Sequence, residues 1–266
     1  MPTLETVGLS KIFRKRGGEH VEALRDINLR VETGEFVSIV GASGCGKTTF
    51  LRIVDGLLEP SAGKVLLDGR EVTKPGPDRG FVFQSDSLFP WRTAEDNVVF
   101  GLEVQRKNRS LVRQLAHRFI KMVGLEGFAG HYPYELSGGM RQRVNIARAM
   151  TIDPEVLLMD EPFAALDAQT REIMQYELLS IWSQQQKTVL FITHQISEAV
   201  FLSDKVVVLT ARPGRLKEVI PIKIPRPRNL DVKHTKEFVD YEYQIWKMIE
   251  EEVRIGMRLE QALEKN

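Results

Sequence analysis

Gly41-Ala42-Ser43-Gly44-Cys45-Gly46-Lys47-Thr48 fits the pattern G-x-x-x-x-G-K-[ST] in full. Glycines at these spacings let a backbone curl until successive N–H groups converge on an anion, and a following helix adds partial positive charge at its N-terminus. Lys47 would then put its ammonium on the β- and γ-phosphates of a nucleoside triphosphate, the Thr48 hydroxyl would be a ligand of Mg²⁺, and Thr49 would donate to a phosphate. A glycine-rich turn that merely joins strand to helix is the bland alternative. Cys45 reads as a small residue whose N–H matters, not as a reactive thiol. A second half of the site closes an apolar run with two carboxylates, Val156-Leu157-Leu158-Met159-Asp160-Glu161. Asp160 is placed to hold Mg²⁺, through water, and Glu161 to orient or deprotonate an attacking water. A strand leaving into solvent through acidic residues is the competing explanation.

These groups need a scaffold, and hydrophobic patterning predicts one. The first 34 residues alternate apolar and polar positions (Val7, Leu9, then Val21, Ala23, Ile27, Leu29, Val31), as antiparallel strands with one buried face do. Phe36–Val40 suits a strand buried on both faces, and Lys47–Gly56 a helix. Further strands are expected at Lys64–Leu67, Phe81–Phe83, Val156–Met159, Val189–Ile192 and Val206–Leu209. Ala94–Met150 has helical texture, with Leu111, Leu115, Phe119 and Met122 on one stripe. Strands alternating with helices predict a parallel sheet covered on both faces, interrupted by a helical insert. Pro225-Arg226-Pro227-Arg228 reads as a linker. From Lys236 onward one helix is expected, with Val239, Tyr243, Trp246, Ile249, Val253 and Met257 on its apolar stripe.

Composition narrows the field. The 266 residues hold 37 basic and 36 acidic side chains, 42% hydrophobic and 27% charged residues, an ordinary globular balance that argues against disorder and against binding nucleic acid over the whole surface. No uninterrupted apolar run exceeds four residues, far short of the roughly 20 a membrane-spanning helix needs. Met1–Glu5 show neither the basic region nor the apolar stretch of a secretory signal, so an intracellular chain, soluble by itself, is expected. Cys45 alone can form neither an intrachain disulfide nor a cysteine-built zinc site. Six Lys/Arg and no acid lie between Arg106 and Lys121, and a local +6 between Ala211 and Lys236; both read as solvated surface charge, the first also suiting anionic lipid headgroups.

Leu136-Ser137-Gly138-Gly139-Met140 joins these pieces: here the chain resembles the ATPase subunits of ABC transporters, whose signature is Leu-Ser-Gly-Gly-Gln. The order of glycine loop, Gln84, Ser137–Met140, Asp160-Glu161, Asp167 and His194 is similar to that family over roughly residues 4 to 220. The resemblance implies an α/β fold: a P-loop NTPase core with an N-terminal antiparallel β subdomain and an inserted helical subdomain. Residues 1–220 would be the ATPase domain, with the insert at about 94–150, and 221–266 the linker and C-terminal helix. It implies that Gln84 contacts Mg²⁺ or the attacking water, that Ser137, Gly138, Gly139 and Met140 bind the γ-phosphate held by the opposite subunit, that Asp167 lies in a loop crossing the dimer interface, and that His194 contacts the γ-phosphate. Phe13 resembles the aromatic that stacks on adenine; packing in the core is an equal alternative for it. Met140 departs from the family's Gln and Ala165 from its commoner Ser, and neither removes a backbone donor.

The same resemblance implies ATP and Mg²⁺ as cofactors and a head-to-tail dimer with a second copy or a paralogous subunit. It also implies an integral membrane permease as partner, and indirectly a solute-binding protein, with the chain peripheral on the cytoplasmic face of a bacterial inner membrane. Leu88-Phe89-Pro90-Trp91 is read either as part of a groove for a short permease helix or as core. Leu88–Arg92, Thr210–Arg215 and the Pro-Arg-Pro-Arg segment look like the nitrate/sulfonate/taurine group of importers. A soluble ABC-type ATPase acting on DNA or ribosomes, and an exporter subunit, are the alternatives.

Overall fold

The computed structural model describes residues 2–14, 18, 20–84 and 87–263, with side chains for all of these except 2, 3 and 258–263. In chain order its elements are β1 (Pro2–Arg14), β2 (His20–Glu32), β3 (Phe36–Gly41), α1 (Lys47–Asp55), β4 (Ala62–Leu67), β5 (Arg70–Glu71), β6 (Arg79–Val82), α2 (Ala94–Val104) and α3 (Arg109–Met122). Then come α4 (Gly138–Thr151), β7 (Val156–Asp160), α5 (Ala168–Gln185), β8 (Thr188–Ile192), α6 (Ile196–Leu202), β9 (Lys205–Leu209), β10 (Leu216–Pro221) and α7 (Lys236–Leu263). The chain divides into two compact units, one of residues 1–76 with 188–266 and one of residues 77–187.

In the first unit, β2, β1, β4 and β5 form an antiparallel sheet in that order. Alternation alone would put Val7 and Leu9 on one face. Instead Thr6 and Leu9 are buried and Val7 is exposed, because a register shift between Thr6 and Leu9 inserts Gly8 at φ +59° opposite Asp26 at φ +50°. The second sheet of this unit places β3 between β8 and β9, both parallel to it, and adds β10 antiparallel to β9. Strands β3 and β8 are buried from end to end, as strands covered on both faces are.

The second unit pairs β6 and β7 in parallel and packs α4 against β6. Oxygen side chains cap its helices: Thr93 for α2, Asn108 for α3, Ser137 for α4 and Asp167 for α5. Helix α3 packs through Ala116, Phe119 and Ile120, while Leu111, expected on its inner stripe, faces solvent.

Two expectations for the C-terminal region are corrected. Segment 225–228 is no loose linker: Arg228 is 4% exposed and donates to the carbonyls of Val200, Phe201 and Ser203 at the end of α6 and twice to Ile224. Arg226 donates to the Leu202 carbonyl and pairs with Asp204 at 2.9 Å, so neither arginine is solvated surface charge. Burial, and then the neighbouring Arg226 charge, hold the Arg228 guanidinium down at about 10, still charged at neutral pH. The stripe of α7 is also reversed. Val239, Tyr243, Trp246 and Met257 are exposed, and the helix packs through Phe238, Ile245 and Glu252.

Arg228→Met keeps the volume and removes every donor, leaving buried carbonyls unpaired. It should lower unfolding free energy by about 3 kcal/mol in a urea titration, whereas Lys236→Met on the exposed start of α7 should leave the midpoint unchanged.

Candidate functional site

In the first unit the glycine loop leaves the C-terminal end of β3 and runs into α1. Gly46 stands at the N-cap of α1 in a left-handed conformation (φ +105°), and a Cβ there would meet Leu24 Cδ2 at 2.7 Å and the Ala23 carbonyl at 2.9 Å. Only glycine satisfies both the dihedral and the space. With glycine at the cap, the first turn of α1 offers its N–H groups to whatever lies beyond it. The Lys47 ammonium folds over the loop and donates to the carbonyls of Gly41 (2.9 Å) and Ala42 (3.1 Å). Ser43 and Gly44 are exposed, Ala42, Thr48 and Thr49 half-buried.

Cys45 is fully buried, and burial pushes its thiol above the ordinary value, against the opposing charge of Lys47. It is a buried, neutral thiol and not a reactive one.

His194 lies just beyond the C-terminal end of β8, the strand paired with β3, so it and the glycine loop leave neighbouring parallel strands at the same edge. Its ring is exposed, on a turn fixed by the Thr193 hydroxyl, which donates to Glu198 at 2.6 Å and accepts from the Gln195 N–H at 2.9 Å. Nothing in the sequence singled out Thr193 or Glu198, because their pairing exists only once the strand has turned into α6. Phe13, at the end of β1, is 39% exposed with the Lys11 ammonium 5.3 Å from its ring centre, so it is not a core residue.

In the second unit β6 and β7 run parallel with Val82 opposite Met159, and Gln84 and Asp160-Glu161 leave the two strands side by side. The Gln84 amide donates to the Glu161 carboxylate at 3.1 Å. Asp160 is buried at the end of β7, and Glu161 is half-buried with φ +45°, a region a side chain of its type rarely adopts.

Ser137 accepts from the Met140 N–H at 3.2 Å and so caps α4, while its own O–H proton remains available to a further acceptor. Gly139 is buried with no room to spare, since a Cβ would meet Thr170 Cγ2 at 3.1 Å; Gly138 is exposed. Asp167 caps α5, and hydrogen bonds from the Thr170 side chain and backbone hold its carboxyl below the usual aspartate range. Arg171, which the sequence reading passed over, braces the turn before Asp167 by donating to the carbonyls of Phe163 (3.3 Å) and Leu166 (2.6 Å).

The segment Leu88–Trp91 divides. Leu88 is buried, Phe89 packs on Phe100 under the Arg148 guanidinium, and Trp91 is 72% exposed. Arg148 also holds Ser87 through its carbonyl (2.9 Å) and hydroxyl (2.6 Å). A cleft of about 830 Å³ opens between α2 and α3, lined by Glu95, Val99, Glu103, Arg109, Val112 and Arg113 among others; Arg92, the residue after Trp91, pairs with Glu103 of that lining at 2.7 Å.

A buried strand, glycine loop and helix, with acidic residues ending a second parallel strand, make this an α/β nucleoside triphosphatase of the P-loop class. Residues 24–164 match the model of the ABC transporter family. The chain is 56% identical to an uncharacterized ABC transporter ATP-binding protein of Methanocaldococcus jannaschii, over 94% of this chain and 92% of that one. It is 47% identical to the nitrate import ATP-binding protein NrtD of Synechocystis (91% and 93% covered) and 43% identical to the aliphatic sulfonates import ATP-binding protein SsuB of Bacillus cereus (91% and 94%). Among solved structures, the dimeric post-hydrolysis state of the ATP-binding cassette MJ0796 with ADP and Pi superposes with a TM-score of 0.72 at 34% identity, over 84% of this chain and all of that one. The chain belongs to the ABC transporter family, as one of its ATPase subunits. No helix among the described residues is long and apolar enough to cross a membrane.

The burial of Cys45 gives a direct check. In the native protein at neutral pH a maleimide should leave Cys45 unlabelled, and the same reagent should label it fully in urea.

Proposed function

We propose that this chain hydrolyses ATP to power a separate membrane permease importing a small anion or organic solute of the nitrate, sulfonate or taurine kind. The identity to NrtD and SsuB across more than nine tenths of the chain carries the importer reading, because both are named for import.

In this reading N–H groups of Gly41–Thr49 cradle the phosphates, and Lys47 exchanges the Gly41 and Ala42 carbonyls for the β- and γ-phosphates. The exposed ring of Phe13 stacks on adenine. The Thr48 hydroxyl, the Asp160 carboxylate and the Gln84 amide oxygen are hard oxygen donors that suit Mg²⁺; the ion would neutralise charge on the β- and γ-phosphates. Glu161 accepts a proton from the attacking water, and the 3.1 Å bond from Gln84 keeps its carboxylate oriented for that task. His194, on its braced turn, donates to the γ-phosphate.

Ser137, Gly138, Gly139 and Met140 serve the nucleotide of a second copy, or of a paralogous subunit. Ser137 keeps its cap on Met140 while its hydroxyl proton and the Gly138 and Gly139 N–H groups point to the γ-phosphate. Asp167 follows that interface on the turn Arg171 holds. Two subunits thereby close head to tail on two ATP molecules and open after hydrolysis. The cleft between α2 and α3, to which Arg92 after the exposed Trp91 is tied through Glu103, receives a short helix of the permease, which places the chain peripherally on the cytoplasmic face of the membrane. A solute-binding protein delivers the solute to that permease.

Glu161→Gln should bind ATP as wild type does, elute as a dimer when ATP is present, and hydrolyse it about 10² times or more slowly; ordinary turnover would remove Glu161 from this role. Trp91→Ala should lose the co-purifying permease while nucleotide affinity holds, and retention of the permease would move the docking site elsewhere.

A further inference from the structure

One segment of the first unit touches both the phosphate loop and the C-terminal helix. Thr210–Arg215 leaves the C-terminal end of β9, where Leu209 lies opposite Gly41 of β3. The segment closes on itself: the Thr210 N–H donates to the Arg215 carbonyl (2.9 Å), and the Thr210 hydroxyl donates to Pro213 (3.0 Å) and accepts from the Arg215 N–H (2.9 Å). It is tied to β2 by the Gly214 N–H on the Ala23 carbonyl and the Arg25 N–H on the Gly214 carbonyl, both 2.9 Å. A Cβ at Gly214 would lie 2.1 Å from the Cys45 carbonyl oxygen, so this loop and the phosphate loop meet backbone to backbone.

Arg212 reaches across that contact. Its Nε and Nη2 both donate to the Gly44 carbonyl, at 3.3 and 3.2 Å. Gly44 sits at φ +73° in the middle of the cradle. A peptide unit is planar and trans, so a donor that fixes the direction of the Gly44 oxygen also fixes that of the Cys45 N–H. That N–H spans the inner turn toward the Ala42 oxygen at 3.3 Å. A carbonyl free to rotate inward would instead present negative charge to a phosphate.

The other side of the segment is anchored to α7. The Ala211 N–H donates to Glu252 Oε2 at 2.8 Å, and Lys217 donates to the other oxygen at 2.7 Å. Glu252 is 5% exposed, an acid kept in the interior by these two donors. The Ala211 Cβ also lies 3.9 Å from where a Cβ at Gly256 would stand. An unbroken path therefore runs from α7 through Glu252, Ala211 and Arg212 to Gly44.

We propose that Arg212 is a positioning residue for the phosphate loop, and that Glu252 sets its place, so that the C-terminal helix and nucleotide affinity are linked. The inference rests on the reading of Gly41–Thr49 as the ATP site. The guanidinium acts through the Gly44 carbonyl on the orientation of backbone donors, and its charge adds to the attraction for an anion.

The test titrates the intact chain with a fluorescent ATP analogue at fixed ionic strength, follows ATP hydrolysis in parallel, and records the melting temperature of each variant. Arg212→Ala should weaken binding about fivefold to tenfold, the size of one ordinary hydrogen bond lost. KM should rise with it while kcat stays near the wild-type value, since Arg212 touches no reacting atom. Arg212→Lys, keeping the charge and one donor, should recover most of the affinity. Glu252→Gln, which can still accept from the Ala211 N–H, should bind more tightly than Glu252→Ala. Wild-type affinity in Arg212→Ala would overturn the inference, as would an equal loss in Arg215→Ala, which removes the same charge from the same loop. A wild-type chain that bound no ATP would overturn the nucleotide reading itself, and this inference with it.

Discussion

The backbone of the glycine loop is held in its curl by crowding from outside. On one side β2 presents the Ala23 carbonyl and the Leu24 side chain, so close to Gly46 that no Cβ fits. On the other, Gly214 meets the Cys45 carbonyl. Donors aimed at one point repel one another until an anion arrives, so a cradle must be imposed by what surrounds it. Strand β2, the parallel neighbours of β3 and the segment after β9 all border that one curl.

Helix ends are put to two uses in this chain. In the second unit Thr93, Asn108, Ser137 and Asp167 each spend a side-chain oxygen on their own helix, as a stable N-terminus requires. Helix α1 begins on Gly46 instead, which leaves the anion-attracting end of that helix to a ligand. Ser137 combines the two, because a hydroxyl accepts the Met140 N–H and still has a proton to give. Strand edges are shared in the same economical way: Gln84 and Glu161 meet because their strands are parallel neighbours, not because anything in their own sequence requires it.

What the sequence made legible was local. Gly41–Thr48 declares its geometry through glycine spacing and a single Lys, and apolar runs such as Val189–Ile192 announce buried strands. What it hid depended on distant partners or on a shift of parity. Gly8 displaces the pattern of β1, so Thr6 is inward and Val7 outward, against simple alternation. Helix α7 has two candidate apolar faces, and the one that packs includes a carboxylate, Glu252, whose partners lie about 35 to 41 positions away. Arg226 and Arg228 look like solvated charges beside prolines until the carbonyls at the end of α6 come to meet them. Trp91 and Leu88 belong to one apolar run in the sequence and to opposite environments in the fold.

Glu161 carries its carboxylate on a left-handed backbone at φ +45°, which glycine or asparagine would occupy at less strain. With Glu161 as the proposed base, residue choice there would follow chemistry against conformational preference, and stability and turnover would pull in opposite directions at this position. A chain released from the need to hydrolyse ATP would be expected to drift toward Asn or Gly there and become harder to unfold as it lost its reaction.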